Sequence, residues 1–177
     1  MAHLTPPVGP QDKTQGPETA PVTLVEYGDY ECPACGMAYG ILKRVQNEMG
    51  DDLRFVFRNF PLTEVHPHAE HAAAIAEEAA VAGRFWPMHD LLFENQGALD
   101  DPSLVAYGEQ LGLGERDLLA ALGGSHAQRI REDFLSGVRS GVNGTPTLFV
   151  NGQRYDGPVD PESLLVVLRQ QALSNDR

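Results

Sequence analysis

The chain has 177 residues, and 25 Asp and Glu against 13 Lys and Arg leave it at −12 near neutral pH. A surface of that sign repels phosphate backbones and anionic headgroups, so nucleic acid is excluded as a first partner. No apolar run reaches the roughly 18 residues of a membrane span, so no membrane insertion is expected. With 42% hydrophobic and 21% charged residues the composition is globular, and the length suits one domain or one domain with a large insertion.

Residues 1–21 (MAHLTPPVGPQDKTQGPETAP) are rich in Pro and Gly and show no periodicity. They are expected to form a flexible arm that docks loosely. The segment lacks the basic start, apolar stretch and small-residue cleavage site of a secretory leader. As it stands the chain reads as cytoplasmic; with a leader removed it would be periplasmic or secreted.

Residues 22–27 (VTLVEY), β-branched and aromatic between Pro21 and Gly28, read as a buried strand. Glu26 within it is unusual, since apolar strands rarely carry a carboxylate. After the Gly28-Asp29 turn comes Cys32-Pro33-Ala34-Cys35, and a helix is predicted over 33–49 with Ala38, Ile41, Leu42, Val45 and Met49 on one face. Pro33 suits its first turn, where a missing N–H removes no helical bond. A second strand follows at 53–58.

From Leu62 the alternation gives way to helical patterns: 68–82, 85–95, a helix capped by Asp101 or Ser103 and running to Leu111, 115–122, and 126–141 with Ile130, Phe134, Leu135 and Val138 inward. Strands return at 147–150 and 153–155, joined by Asn151-Gly152, a strong hairpin signal. Asp160 and Pro161 open a last helix. The order, β-α-β, a helical block, then β-β-α, places the fold in the α/β class. The expected organisation is an arm at 1–21, a sheet domain from 22–61 and 142–173 with helix 126–141 packed on it, and a helical insertion at 62–125.

A Cys-x-x-Cys whose first cysteine opens a helix has a clear physical use. The unpaired N–H groups and the positive helix end stabilise a thiolate, lowering a thiol pKa from about 8.5 by roughly one to several units. Cys32 is then the exposed nucleophile, and Cys35, one turn in, the buried resolving thiol. Two alternatives exist, a structural disulfide and a metal site. Zinc would have to recruit histidines from His66, His68 and His71, and Pro67 interrupts that group. Glu26, six residues before Cys32, could lie beneath the pair as a proton relay for Cys35, or be a solvated strand end. Glu31, just before Cys32, opposes thiolate formation, and Pro33-Ala34 offers no charged donor. Near the other end, Gly141-Val-Asn-Gly-Thr-Pro-Thr147 places Pro146 before a strand. A cis bond there would free the Thr145 backbone to pair with an extended peptide.

The stretches VEYGDYECPAC (25–35) and GVNGTPTLFVNG (141–152) resemble the thioredoxin superfamily, and most closely its DsbA-like thiol oxidoreductases. The segments FPLTEVHPHAEHAAAIAEEA and FWPMHDLLFENQ look like that family's helical insertion. The resemblance implies a thioredoxin-like fold with an inserted helical domain. It implies Cys32 as nucleophile, Cys35 as resolving thiol, Glu26 as a buried acid under the site and a cis Pro146 beside the pair. His66 and His68 become scaffold residues, and a shallow apolar groove is implied for unfolded proteins. Best-known periplasmic members carry Pro-His between the cysteines; Ala34 removes that histidine.

The function expected is thiol–disulfide exchange with protein substrates. No bound cofactor is implied, and a separate redox partner resets the pair. A glutathione-dependent transferase or isomerase and a noncatalytic peptide-binding chaperone are the alternatives.

Overall fold

A computed structural model describes residues 2–175 of the chain. The chain divides into two compact units, one comprising Met1–Gly28, Met37–Arg58 and Leu135–Arg177, the other Asp29–Gly36 and Asn59–Phe134. The fold is mixed α/β, as the order of sequence patterns predicts.

The first unit is built on a five-stranded sheet in the order β1-β3-β2-β4-β5, from β1 (Lys13–Gln15), β2 (Val22–Gly28), β3 (Leu53–Asn59), β4 (Thr147–Val150) and β5 (Gln153–Tyr155). Helices α1 (Pro33–Met49) and α7 (Pro161–Asn175) belong to it for most or all of their length. β2 is buried along almost its whole length, because both faces of a central strand are covered. It pairs antiparallel with β4, Glu26 opposite Leu148 and Tyr27 opposite Thr147. The β4–β5 turn is made by Asn151 at φ 47° and Gly152 at φ 82°, the two positive angles a tight hairpin requires.

Residues 1–21 differ from the expected flexible arm. Lys13–Gln15 add an edge strand antiparallel to β3, and Leu4 is buried with its N–H on the Gly152 carbonyl, 2.8 Å. Met1 lies outside the described residues. The anchor is Arg58, whose Nε and Nη2 hold both Asp12 oxygens at 2.8 and 2.9 Å, while Nη1 donates to Tyr27 Oη and the Pro6 carbonyl. Burial alone would lower the Arg58 pKa, but the bonds to Asp12 and Tyr27 outweigh it and leave the guanidinium more firmly protonated than usual. A buried ion pair separated by 46 positions leaves no periodic trace in the sequence.

The second unit is helical: α2 (Ala69–Val81), α3 (Phe85–Glu94), α4 (Asp101–Gln110), α5 (Glu115–Leu122) and the first part of α6 (Ala127–Arg139). The alanines of α2 allow close approach of its neighbours, and Ala72, Ala73, Ile75, Ala76 and Ala79 are buried. Asn59 stitches this unit internally, its N–H on Asp133 Oδ2 at 3.0 Å and its Nδ2 on Glu77 Oε1 at 2.9 Å. The α4 cap is Asp100, not Asp101 or Ser103: its carboxylate accepts from the Ser103 hydroxyl and N–H. Leu135 and Val138, expected inward, are exposed (38% and 52%), whereas Ile130 is buried. Among the described residues, no helix is long and apolar enough to cross a membrane.

Candidate active site

Pro33 opens α1, and the Cys32 carbonyl accepts the Gly36 N–H at 3.0 Å. Helical spacing therefore begins at Cys32 and sets Cys35 one turn further on. Pro33 and Ala34 are exposed. Cys32 is only 6% exposed and Cys35 is fully buried, both as free cysteines. Cys32 is thus less open than expected. Two residues earlier, Tyr30 is buried, its ring 4.8 Å from that of Phe93 and its hydroxyl 3.0 Å from His89 Nδ1.

Two side chains strap this turn. Asp29, fully buried, accepts the N–H groups of Glu31 (2.8 Å) and Cys32 (3.2 Å) on Oδ1, as an N-cap does. Its Oδ2 accepts the Leu62 N–H and His66 Nδ1–H, both at 2.8 Å. From the far side, Gln96 Nε2 donates to the carbonyls of Tyr30 and Cys32, each at 2.9 Å. Glu31 is turned to structural use, its Oε1 accepting the His68 N–H at 3.1 Å, just ahead of α2, where a negative charge suits the helix end.

The histidines separate. His66 goes to Asp29 and His71 Nδ1 to Asp101 Oδ1 at 2.7 Å. Among the described residues no three of His, Cys, Asp and Glu converge as a metal group. Asp29, Tyr30 and Gln96 are site residues that the cysteine motif does not mark. An Asp at a turn just before a helix was a usable signal for the first; nothing local marks a glutamine 64 positions from its acceptor.

In the sheet unit, Glu26 is buried within β2 rather than solvated. The Thr145–Pro146 peptide is cis, as the resemblance implies. Thr145 and Pro146 are half-buried, and the Tyr27–Thr147 pairing sets Pro146 just past the ladder, beside the end of β2. The Thr147 hydroxyl closes this turn on the Gly144 carbonyl at 2.6 Å. The helical unit also holds a cavity of about 570 Å³, lined by Leu62, Val65, Ile130 and Phe134 together with the charged Glu64, Glu70 and Arg131.

The model of the family described as Thioredoxin (Thioredoxin_4) matches residues 9–170. A protein named Na(+)/H(+) antiporter NhaA 1, from Salinispora arenicola, is 46% identical over 168 residues, which are 93% of this chain and 25% of that protein. The chain thus spans about a quarter of that relative's length, and the antiporter name belongs to the whole of it. Among solved structures, a thioredoxin-like oxidoreductase from Silicibacter pomeroyi superposes with a TM-score of 0.79 at 24% identity, covering 96% of this chain and 94% of that one. Wolbachia pipientis alpha-DsbA1 does so at 0.84 and 16%, with the same coverages. The chain is a member of the thioredoxin superfamily, with the fold of its DsbA-like thiol–disulfide oxidoreductases.

Proposed function

We propose that the protein exchanges disulfides with protein substrates through Cys32-Pro33-Ala34-Cys35. The observation that carries this is the cysteine turn itself: Cys32 at the start of α1 with a small exposed fringe, and Cys35 wholly buried. The Cys32 thiolate attacks one sulfur of a substrate disulfide. That S–S bond breaks, a mixed disulfide forms, and the first substrate sulfur leaves as a thiolate. Cys35 gives up its proton and attacks Cys32 Sγ, releasing the second substrate thiolate. The substrate gains two electrons and the pair becomes a disulfide; the reverse sequence oxidises a dithiol substrate.

Glu26 is assigned the proton of Cys35, in keeping with its burial in the strand that leads to the cysteine turn. Thr145 and Pro146 are assigned to the substrate backbone, supported by their half-exposed position past the β4 ladder. The apolar groove is assigned to the cavity walled by Leu62 and Phe134. A separate redox partner resets the pair.

The test is equilibration in glutathione buffers of graded ratio, reading the Cys32–Cys35 state by mass, beside turnover of a disulfide-bonded protein. Cys32→Ala should abolish turnover, and Cys35→Ala should accumulate mixed disulfides. Suppression of substrate aggregation retained by Cys32→Ala, with no disulfide turnover by the wild type, would leave the chaperone reading in its place.

A further inference from the structure

Asp29 offers two oxygens and both are fully used. Three of the four groups it accepts from are backbone N–H groups, those of Glu31, Cys32 and Leu62, and the fourth is His66 Nδ1–H. A serine or threonine could cap the turn through one oxygen. Only a carboxylate can also receive the 62–66 segment on a second. Its side chain has no solvent exposure, so solvent screens its charge little, and its counter-group is His66, which offsets that charge when protonated. Oδ1 accepts the Cys32 N–H at 3.2 Å, which puts the carboxylate at the same helix start that would favour a thiolate, and a like charge beside an acid opposes its ionisation.

Two opposing influences therefore meet at Cys32. The helix start favours a thiolate, while the carboxylate that shapes that start disfavours it, and Pro33-Ala34 adds no charged donor. We propose that Asp29 is a positioning residue that fixes the Cys32 turn through Oδ1 and, by its charge, holds the cysteine pair more reducing than the bare helix start would. The inference rests on the exchange reaction proposed above. It adds to that reaction a residue that sets its direction.

The experiment compares wild type with Asp29→Asn, which keeps a carbonyl oxygen for the cap, removes the charge and gives up the acceptor of Leu62 and His66. The midpoint in glutathione buffers and the pH profile of thiolate absorbance are measured on both, with folding checked by circular dichroism. Asp29→Asn should shift the equilibrium about tenfold toward the dithiol, or about 30 mV less reducing, and move Cys32 ionisation to lower pH. An unchanged or more reducing midpoint in the folded variant would overturn the role of Asp29. Should Asp29→Asn not fold, Asp29→Ser, which retains one capping oxygen, carries the same expectation and the same refutation. A wild-type protein that forms no Cys32–Cys35 disulfide at any glutathione ratio would refute the exchange reading itself. A wild type that forms it, beside an unmoved variant, would refute only the inference about Asp29.

Discussion

Gln96 occupies the space that a side chain at Gly36 would need: a Cβ there would lie 2.7 Å from the Gln96 Cδ. The missing side chain is what lets the amide lie across the first turn of α1 and reach two carbonyls. A residue directly after the second cysteine and one beyond α3 are thus chosen together.

Gly36→Ala should therefore destabilise the protein by about 1–3 kcal/mol. The Gln96 tip is flexible, but moving it forfeits two hydrogen bonds, about 1 kcal/mol each. Gln96→Ala should cost about as much, and the double variant less than the sum of the two. Denaturant melts of the three variants check this; strict additivity would mean that the two residues do not share that space.

Alkylation of the reduced protein should modify Cys32 before Cys35. Cys35 has no exposed surface and Cys32 retains 6%, and reactivity follows access as well as thiolate character. Peptide mapping after brief iodoacetamide treatment should find label at Cys32 in about tenfold excess. Equal labelling would contradict the arrangement.

Arg58→Ala should cost about 3–5 kcal/mol, because it strands the buried Asp12 carboxylate; the two side chains are only 3% and 5% exposed. Arg58→Met, paired with Asp12→Leu, should recover much of that loss, since apolar replacement of both partners leaves no orphan charge. Limited proteolysis should cut within residues 1–21 of Arg58→Ala sooner than in wild type. Equal digestion would separate the ion pair from the anchoring of this segment.

The α4 cap should respond to acid. Bonds from Ser103 hold the Asp100 carboxyl below its ordinary value. A depressed folded-state pKa gives stabilisation that is complete above the unfolded value, about 3.9, and is lost as pH falls through the folded one. Hydrogen exchange at the Ser103 and Leu104 amides should therefore be protected at pH 6 and lose protection below pH of about 4, beyond the intrinsic pH dependence of exchange. Asp100→Asn should show no such transition. A profile shared by both proteins would assign the change to another group.

Residues within one element of their partners were readable in advance. The apolar face of α1, the Asn151-Gly152 hairpin and the Asp160 cap each follow from spacing or turn chemistry over a few positions, and Ser163 N–H duly meets Asp160 Oδ1 at 2.8 Å. The cysteine pair at a helix start needed only Pro33 and the strand before it. What escaped was held by distant partners. The Leu135–Val138 side of α6 carried the same apolar signal as Ile130 yet faces solvent. Periodicity says which residues share a face; it does not say how far the cover extends.

The amino-acid order alone settled the α/β succession, the Cys-Pro-Ala-Cys turn and the strand carrying Glu26, because hydrogen bonding and side-chain period act over neighbouring residues. Tertiary structure alone decided that residues 13–15 become an edge strand, that Arg58 holds Asp12, that Asp29 also receives Leu62 and His66, and that Gln96 reaches the cysteine turn. Those choices depend on desolvating polar groups against partners 31 to 66 positions away. Their free energy exists only once the chain has brought such groups together and excluded water from between them.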